Sequence, residues 1–477
     1  MAKRVSFVYI LGIAVVWTLG AGCGGGSPKS WVHPADLSDA ISPPGGAVSL
    51  AVVAMNSNAE AIVAWAQADS THSRIFIRER DPETGLWTGP ADLASYINPD
   101  GTGASSPSVA MDDSGNAIVA WSQPDLAGST WIFVSQRDGA TGSWTHPADL
   151  SDHLAPSNAF TWPDTAMGAG GNALIAWSMS NFAESSRVNL VERAGAGGPW
   201  SAPMDLYVSV PSSGPVSVYA PEVAMDDSGD AIVTWVQSEP LGSTWIFVSE
   251  RNGATGPWSH PSGAGDSIAV ADSSVSNPRL AMASDGDAVI SWTESDGANL
   301  QVFAAWRDGG TGAWTYPAGL SDNLSPDGTE ARFNRSGVNS RGDAVVIWRQ
   351  YDGDGFDQIF MSERSGMTGL WDNPADLADN ISPDGAHAFE REVDMDDRGH
   401  TVVAWKQNDG TGFTQIFLSE RGSTGDSWSH PADLADNISP DGVNVSPPQV
   451  AVGGRGNAVV LWRQGTGTDR LYMSEKR

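Results

Sequence analysis

Six of the eight copies of one repeated sequence position carry a charged or amide side chain. The position, which we call the ring position, lies 13 residues before a recurring tryptophan. Its residues are Val52, Ser108, Asp164, Glu222, Arg279, Arg335, Glu392 and Gln449. Carboxyl groups can transfer protons, and adjacent arginines can hold an anionic group through two hydrogen bonds. We predict a ligand site at Asp164, Glu222, Arg279, Arg335, Glu392 and Gln449; the alternative is a set of ion pairs that neutralise one another.

A second group of candidates lies on a glycine-rich segment. Asp352, Asp354 and Asp357 place three carboxylates within six residues. Calcium prefers such oxygen ligands, but the spacing matches no complete calcium loop. The segment therefore predicts either a Ca²⁺ site or a solvated turn, and no other cofactor is expected.

The histidines show no metal-ligand spacing. His33, His146, His260 and His430 occupy the same Trp-x-His-Pro motif in different repeats, so they cannot converge on one ion. Residues present in every repeat are expected to hold the fold together, and residues that break the pattern are where function is sought.

The candidates sit on a repeat of 56 to 58 residues, marked by one tryptophan per copy. These tryptophans are Trp65, Trp121, Trp177, Trp235, Trp292, Trp348, Trp405 and Trp462. Each copy contains four strand-like runs separated by turn residues, and none shows helical periodicity. In the second copy the runs are Pro107–Met111, Asn116–Gln123, Trp131–Arg137 and Ser143–Leu150.

Four-stranded units repeated around an axis predict a β-propeller. The last copy ends after its third strand, and the segment Trp31–Leu37 is an unpaired fourth strand before the first copy. The two fragments make one blade, which closes the ring and removes exposed sheet edges. We predict an all-β, eight-bladed propeller of four-stranded antiparallel blades over residues 31–477, with the ring position at the mouth of its channel.

Composition limits the partners. The chain has 477 residues and a formal net charge of −31. This charge repels phosphate backbones, which excludes nucleic acid, and it favours cations or basic partners. We expect a monomer.

The first residues resemble a bacterial lipoprotein signal. Lys3 and Arg4 precede an apolar run, and Leu19-Gly-Ala-Gly-Cys23 resembles a lipobox with its leucine one position early. Cys23 is the only cysteine and has no internal disulfide partner. We predict a signal peptide over 1–23, lipidation of Cys23, a flexible tether over 24–30 and anchoring in the bacterial outer membrane or at the cell surface. An ordinary secretory signal is the alternative.

The turn after each third strand resembles the Asp-box of sialidase-like propellers. In the second copy it runs from Ser135 through Asp138 and Gly142 to Trp144, with one extra residue before the tryptophan. The resemblance implies a structural role for this turn, on the face opposite the ligand.

The catalytic signature of sialidases is missing: the ring position has no tyrosine, and no three-arginine cluster is evident. The sequence therefore predicts a non-catalytic propeller that binds a glycan, peptide or protein at its channel mouth. A sialidase-like glycoside-active enzyme and a structural envelope component are the alternatives.

We expect Cys23→Ala to abolish the lipid anchor, because the thiol is the acylated atom. Metabolic labelling with radioactive palmitate should mark the wild-type chain and a Gly26→Ala control but not this variant. The variant should also move from the membrane to the soluble fraction. An unlabelled wild-type chain would contradict the prediction.

Overall fold

A computed structural model describes residues 29–156, 162–179, 186–210, 216–239, 242–271 and 275–477. The predicted signal peptide, Cys23 and most of the tether lie outside the described residues. Among the residues described, no helix combines the length and the apolar character needed to cross a bilayer.

The described residues form eight antiparallel sheets, one for each copy of the repeat. The inner strands are Val48–Met55, Ser105–Met111, Asp164–Gly168, Ser217–Met225, Ser276–Met282, Ala331–Val338, Ala388–Met395 and Gln449–Gly453. The second strands are Ala61–Ala68, Ala117–Pro124, Asn172–Met179, Ala231–Ser238, Ala288–Ser295, Ala344–Tyr351, Thr401–Asn408 and Asn457–Gln464.

The third strands are Ser73–Arg80, Thr130–Arg137, Arg187–Arg193, Thr244–Arg251, Leu300–Asp308, Asp357–Arg364, Thr414–Arg421 and Arg470–Lys476. The outer strands are Trp87–Thr88, Trp144–Thr145, Met204–Leu206, Trp258–Ser259, Ala313–Thr315, Trp371–Asp372 and, for blade 8, Trp31–Val32. In blade 7 the outer strand is reduced to the bridge between Glu420 and Ser429. Blade 2 has an extra short strand at Ala155–Pro156, and 3₁₀ turns lie at Ala169–Gly171 and Ala264–Asp266.

The second strand of each blade forms the core because both of its faces are covered by neighbouring blades. Its sequence is therefore a nearly continuous apolar run, as in Ala117-Ile-Val-Ala-Trp121, where all five residues are fully buried. The eight repeat tryptophans are all buried, and Trp65 stacks on Phe76 with ring centroids 5.7 Å apart. Large apolar groups thus fill each gap between blades.

The ring closes as the sequence predicts. Trp31 pairs with Lys476 and Val32 with Glu475, so the first strand completes the last blade. Ser30 and Arg477 exchange two backbone hydrogen bonds of 3.0 Å beside this pair. The prediction of an eight-bladed, four-stranded propeller is confirmed.

A glutamate on the third strand of one blade holds two side chains of the next. Glu475 of blade 8 accepts hydrogen bonds from Arg80 (2.7 Å) and from the Trp87 indole (3.0 Å) of blade 1. Arg80 also donates to the carbonyl oxygen of Ala59 in the first hairpin of its own blade. We call this Glu–Arg–Trp arrangement the interblade clamp; charge-assisted bonds make it stronger than a neutral contact.

The clamp recurs around the ring with two exceptions. Glu79, Glu192, Glu250 and Glu363 make the same pair of contacts, and Glu420 holds Lys476 and Trp31. Gln136 replaces the acid before Arg193, and Trp306 replaces it before Arg364, whose guanidinium lies 3.7 Å from the indole centroid. The basic residue on the third strand thus pairs with an acid of the preceding blade at six of the eight junctions, which gives it a structural role.

We expect Glu475→Ala to destabilise the protein more than Glu250→Ala. Glu475 has a side-chain exposure of 3%, against 28% for Glu250, and breaking a fully buried ion pair costs about 3–5 kcal/mol. The free energy of unfolding from urea denaturation measures the difference. Equal losses in the two variants would contradict a special contribution from the closing junction.

Candidate functional site

The inner strands place the ring position on the wall of the central channel. Each inner strand runs from the face that carries the longer loops (the loop face) to the face that carries the two tight turns of each blade (the turn face). Gly139 of one tight turn donates to Asn116 of the other, which shows that both turns share a face. The ring position is the first residue of the inner strands Asp164–Gly168 and Gln449–Gly453, and it lies about midway along the other six. We call the opening of the channel on the loop face the channel mouth.

Backbone bulges lie directly before the ring position. Ladder register shifts by one residue ahead of Ser108, Glu222, Arg279 and Arg335. In each case the residue two positions earlier is a non-glycine residue in the left-handed region: Ser106, Ala220, Asn277 and Phe333, with φ of 56°, 51°, 53° and 60°. Strained, bulged backbone of this kind is concentrated at functional sites, where it redirects side chains.

The charged ring residues form two ion pairs. Arg279 contacts Glu222, and Arg335 Nε lies 2.9 Å from both carboxylate oxygens of Glu392. All four side chains remain 21 to 31% exposed, so they reach the channel water. The predicted alternative of self-neutralising pairs describes this geometry, but it does not use all of the acids.

Asp164 is the acid without a cationic partner in direct contact. Its Oδ2 accepts a hydrogen bond of 2.8 Å from the backbone N–H of Val223. Burial in the channel wall, followed by the nearby charge of Glu222, raises the pKa of Asp164 to about 7. Asp164 can therefore donate or accept a proton near neutral pH, next to a carboxylate that is held by Arg279.

The polar ring residues Ser108 and Gln449 make only hydrogen bonds and no ion pair. Ser108 Oγ lies 2.8 Å from the hydroxyl of Thr165, and Gln449 donates to the carbonyl oxygen of Pro448. The structure thus joins Glu222 to Arg279 and Arg335 to Glu392, and it leaves Gln449, on the blade after Glu392, outside both pairs.

A second acid in the channel, Asp394, was not among the predicted site residues. Asp394 lies two residues after Glu392, and burial raises its pKa to about 7. Its Oδ2 accepts a 2.7 Å hydrogen bond from the N–H of Val452. The signal was present in the sequence: the position 11 residues before the repeat tryptophan is alanine or glycine in seven copies and aspartate only here.

A buried arginine lies near the Arg335–Glu392 pair. Arg391 donates to the carbonyl oxygen of Phe333, and its guanidinium carbon lies 5.5 Å from the Phe333 ring centroid. Burial and the neighbouring Arg335 lower its pKa well below the usual range for arginine. Cationic groups therefore concentrate on blades 5 to 7.

Exposed aromatic side chains precede two of the ring acids in the sequence. Trp162 is 76% exposed and lies two residues before Asp164; Tyr219 is 41% exposed and lies three residues before Glu222. Large exposed rings beside acid groups are common in sugar-binding sites because the ring face packs on the apolar face of a pyranose.

The predicted calcium ligands do not converge. Asp352 Oδ1 accepts hydrogen bonds of 2.8 to 3.0 Å from the backbone N–H groups of Asp354, Gly355 and Phe356, which fixes the turn. Asp357 instead faces Arg349 at 3.8 Å and His387 at 3.6 Å. Within the described residues no group of three or more His, Cys, Asp or Glu side chains is arranged to hold a metal ion.

The repeated histidines are structural. In four blades a Trp-x-His-Pro histidine places Nδ1 2.8 to 2.9 Å from a third-strand serine hydroxyl and stacks on the tryptophan of its motif: His33, His146, His260 and His430. The Asp-box-like turn is likewise structural, since Asp138 caps it through Thr141 on the turn face.

No family model and no curated protein matches the chain. Among solved structures it is similar to a polysaccharide lyase described as a PL25 ulvan lyase bound to -[GlcA(1-4)Rha3S]-, with 13% identity, a TM-score of 0.50, and coverage of 83% of this chain and 98% of that one. It is also similar to the polysaccharide lyase Uly1 (9% identity, TM-score 0.46, 92% and 90% coverage). A third similar structure is an α-L-arabinofuranosidase from Fusarium graminearum, with 14% identity, a TM-score of 0.37, and coverage of 72% of this chain and 99% of that one. At 13% identity, the likeness to the ulvan lyase shows the propeller fold alone.

The prediction that the chain is not an enzyme is contradicted by the ulvan lyase neighbour, because a solved propeller similar to this one is a polysaccharide lyase. The absence of the sialidase signature excludes only the catalytic residues of sialidases. One fold can carry several chemistries, so other catalytic residues remain open to this chain. The sialidase-like resemblance is supported only as a resemblance to glycan-active propellers.

Asp164→Asn and Asp394→Asn should each flatten the dependence of stability on pH. A carboxyl whose pKa rises from 3.8 unfolded to about 7 folded favours the folded state at low pH, and this advantage is lost as pH rises through that window. Relative to wild type, each variant should gain stability at about pH 8 and gain little at about pH 3.

Urea denaturation across the pH range tests this expectation. Asp138→Asn, on the exposed turn face, is the matched control and should follow the wild-type curve in the neutral range. A wild-type stability that does not fall between about pH 4 and pH 7 relative to the variants would show that the two acids ionise normally.

Proposed function

We propose that the protein is a glycan-active enzyme whose catalytic carboxyl groups are Asp164 and Glu222 at the channel mouth. The observation that carries the proposal is the different environment of these two acids. Asp164 has a pKa of about 7 and no cationic partner in direct contact, whereas Glu222 is paired with Arg279. Two carboxyl groups held in different protonation states are what glycosidic bond cleavage requires.

The roles follow from these environments. Protonated Asp164 is the general acid that donates a proton to the leaving glycosidic oxygen. Glu222, as a carboxylate, stabilises the positive charge that develops on the sugar ring or activates the attacking water. Arg279 positions Glu222 through their ion pair.

The mouth also has the features of a sugar platform. Trp162 and Tyr219 belong to the same two blades as Asp164 and Glu222, and both present exposed ring surface. Stacking of a sugar on these rings would orient the glycosidic oxygen toward the acid pair. The fold of the ulvan lyase neighbour supports a glycan as the substrate class.

A polysaccharide lyase reaction is the second candidate, and the arginines of blades 5 and 6 favour it. Arg279 and Arg335 lie on neighbouring blades and are 31% and 26% exposed, so two guanidinium groups face the channel on one side. Guanidinium groups could neutralise the carboxylate of a uronic acid while a base removes the proton beside it. The glycosidic oxygen then leaves with the bonding electrons, and a carbon–carbon double bond forms without the addition of water.

We further propose that Cys23 anchors this enzyme to the bacterial cell envelope. The lipobox-like sequence and the lack of any other cysteine support this placement. An anchored propeller would act on polymers outside the cell.

We expect the purified chain to release reducing ends from at least one member of a panel of neutral and uronate-containing polysaccharides. Asp164→Asn and Glu222→Gln should each lower kcat by about a hundredfold or more, since general acid–base catalysis contributes that much. Ultraviolet absorbance of an unsaturated uronate product separates the lyase reaction from hydrolysis.

Asp113→Asn is the matched control for these variants. It removes one charge on the turn face, where Asp113 accepts a hydrogen bond from the Ser57 N–H, and it should retain wild-type turnover. Turnover that persists in both Asp164→Asn and Glu222→Gln would reject the assignment of these residues. No turnover of any polymer by the folded chain would count against catalysis at the mouth.

A further inference from the structure

Two equivalent cavities open on the loop face, away from the channel mouth. One, of about 850 Å³, lies against blade 6, and the other, of about 870 Å³, lies against blade 7. Corresponding residues of the repeat line both: Asp352 and Asp409, Phe356 and Phe413, Leu377 and Leu434, Asn380 and Asn437, Asp384 and Asp441. The repeated lining indicates one kind of site present twice, one blade apart.

In blade 1 the corresponding space is occupied by an arginine of the chain itself. Arg74 Nε donates to Asp69 Oδ2 at 2.8 Å, and its Nη2 lies 3.2 Å from Asp100. The guanidinium carbon lies 4.3 Å from the ring centroid of Tyr96. Asp69, Tyr96 and Asp100 are the blade 1 counterparts of Asp352, Asn380 and Asp384 in the repeat.

Charge complementarity at this blade 1 position is strong. The Arg74 guanidinium, with help from the backbone N–H of His72, holds the pKa of the Asp69 carboxyl far below its usual range. Asp69 Oδ1 meanwhile caps its own loop through Thr71 and His72. One carboxylate oxygen thus fixes the loop while the other binds the cation.

Blade 2 repeats this division with a different donor. Asp125 Oδ1 caps the loop through the N–H groups of Ala127 and Ser129. Its Oδ2 accepts a 3.0 Å hydrogen bond from the Trp131 indole, and Trp131 occupies the same repeat position as Arg74. In both blades the chain itself supplies an N–H donor to the second oxygen.

Blades 6 and 7 have lost this donor. Gln358 and Gln415 replace Arg74, and both amides are fully buried, where they accept hydrogen bonds of 2.5 Å from Ser382 and Ser439. Asp352 Oδ1 still caps its loop. No described residue donates to Asp352 Oδ2, whereas Asp409 Oδ2 in blade 7 accepts a 2.8 Å hydrogen bond from the Thr411 hydroxyl of its own loop. In both blades the space that Arg74 fills in blade 1 is open.

We propose that these two cavities bind arginine side chains of a basic partner protein. The site goes beyond the proposed glycan chemistry and shares no residue with it. A guanidinium can bridge the carboxylates of Asp352 and Asp384 as Arg74 bridges their counterparts, and Phe356 supplies an aromatic surface in the lining. The net charge of −31 draws such a partner toward the molecule.

Two such sites on neighbouring blades would hold one segment that carries two arginines. Asp384 lines both cavities, so the sites adjoin. When one arginine binds, the second is already close to its site, and the overall affinity exceeds that of either contact.

The test is calorimetric titration of the full chain with a blocked peptide of alternating glycine and arginine, and with the same peptide carrying citrulline, which is neutral. We expect saturable binding of the arginine peptide and none of the citrulline peptide. Asp352→Asn together with Asp409→Asn should weaken binding about tenfold or more, as expected for lost charge-assisted bonds.

Asp138→Asn together with Asp308→Asn is the control, because it makes the same change of charge at exposed turn-face positions. Gln358→Arg copies blade 1 and should block the blade 6 site while every lining carboxylate is retained. Unchanged affinity in the Asp352/Asp409 variant, or equal loss in the control, would overturn the proposal. Binding of a chitosan oligosaccharide as strong as that of the arginine peptide would show that ammonium sugars, not arginine, are the ligand class.

Discussion

The interblade clamp is the interaction on which the rest of the molecule depends. A propeller sheet cannot cover its own apolar faces, so each blade is stable only against its neighbours. The clamp joins neighbouring blades by a charged contact. Between the last and the first blade it consists of Glu475, Arg80 and Trp87, so the junction that closes the ring has the same contact as the junctions within the chain. Since this ring is closed, the inner strands are held at fixed positions, and side chains from distant parts of the sequence can share one channel mouth.

Function resides where the repeat is broken. The ring position carries a different residue in nearly every blade, whereas the clamp and the buried tryptophans hardly vary. Eight nearly identical supports thus present an asymmetric set of acids and bases. Asp164 and Asp394 illustrate the cost: each carboxyl is placed where its ionised form is disfavoured. The proposed catalytic role makes use of this cost, and the same rule, applied to the loop face, distinguishes blades 6 and 7 from blade 1.

The fold could be predicted from the sequence because periodicity, strand count and the split last blade are properties of spacing. The residues of the ring position could also be predicted, because alignment of the repeats on Trp65 and its equivalents places Asp164 and Glu222 in one column. The ion pairing of these residues could not be predicted. Arg279 contacts Glu222, and Asp164 has no cation in direct contact, because the bulges at Ala220 and Asn277 set the directions of the side chains. The sequence pattern predicts Asp352 as a calcium ligand because it cannot show that one carboxylate oxygen already accepts hydrogen bonds from the backbone of its own loop.

The way the ring closes also sets the point at which the predicted tether would leave the molecule. The outer strand Trp31–Val32 starts on the turn face, at the outer rim of blade 8. With the proposed lipid on Cys23, eight residues before Trp31, the tether would leave the disc at that rim of the turn face. The loop face, which carries the channel mouth and both acidic cavities, lies on the other side of the disc, where long polymers and partner proteins would meet it without obstruction by the tether.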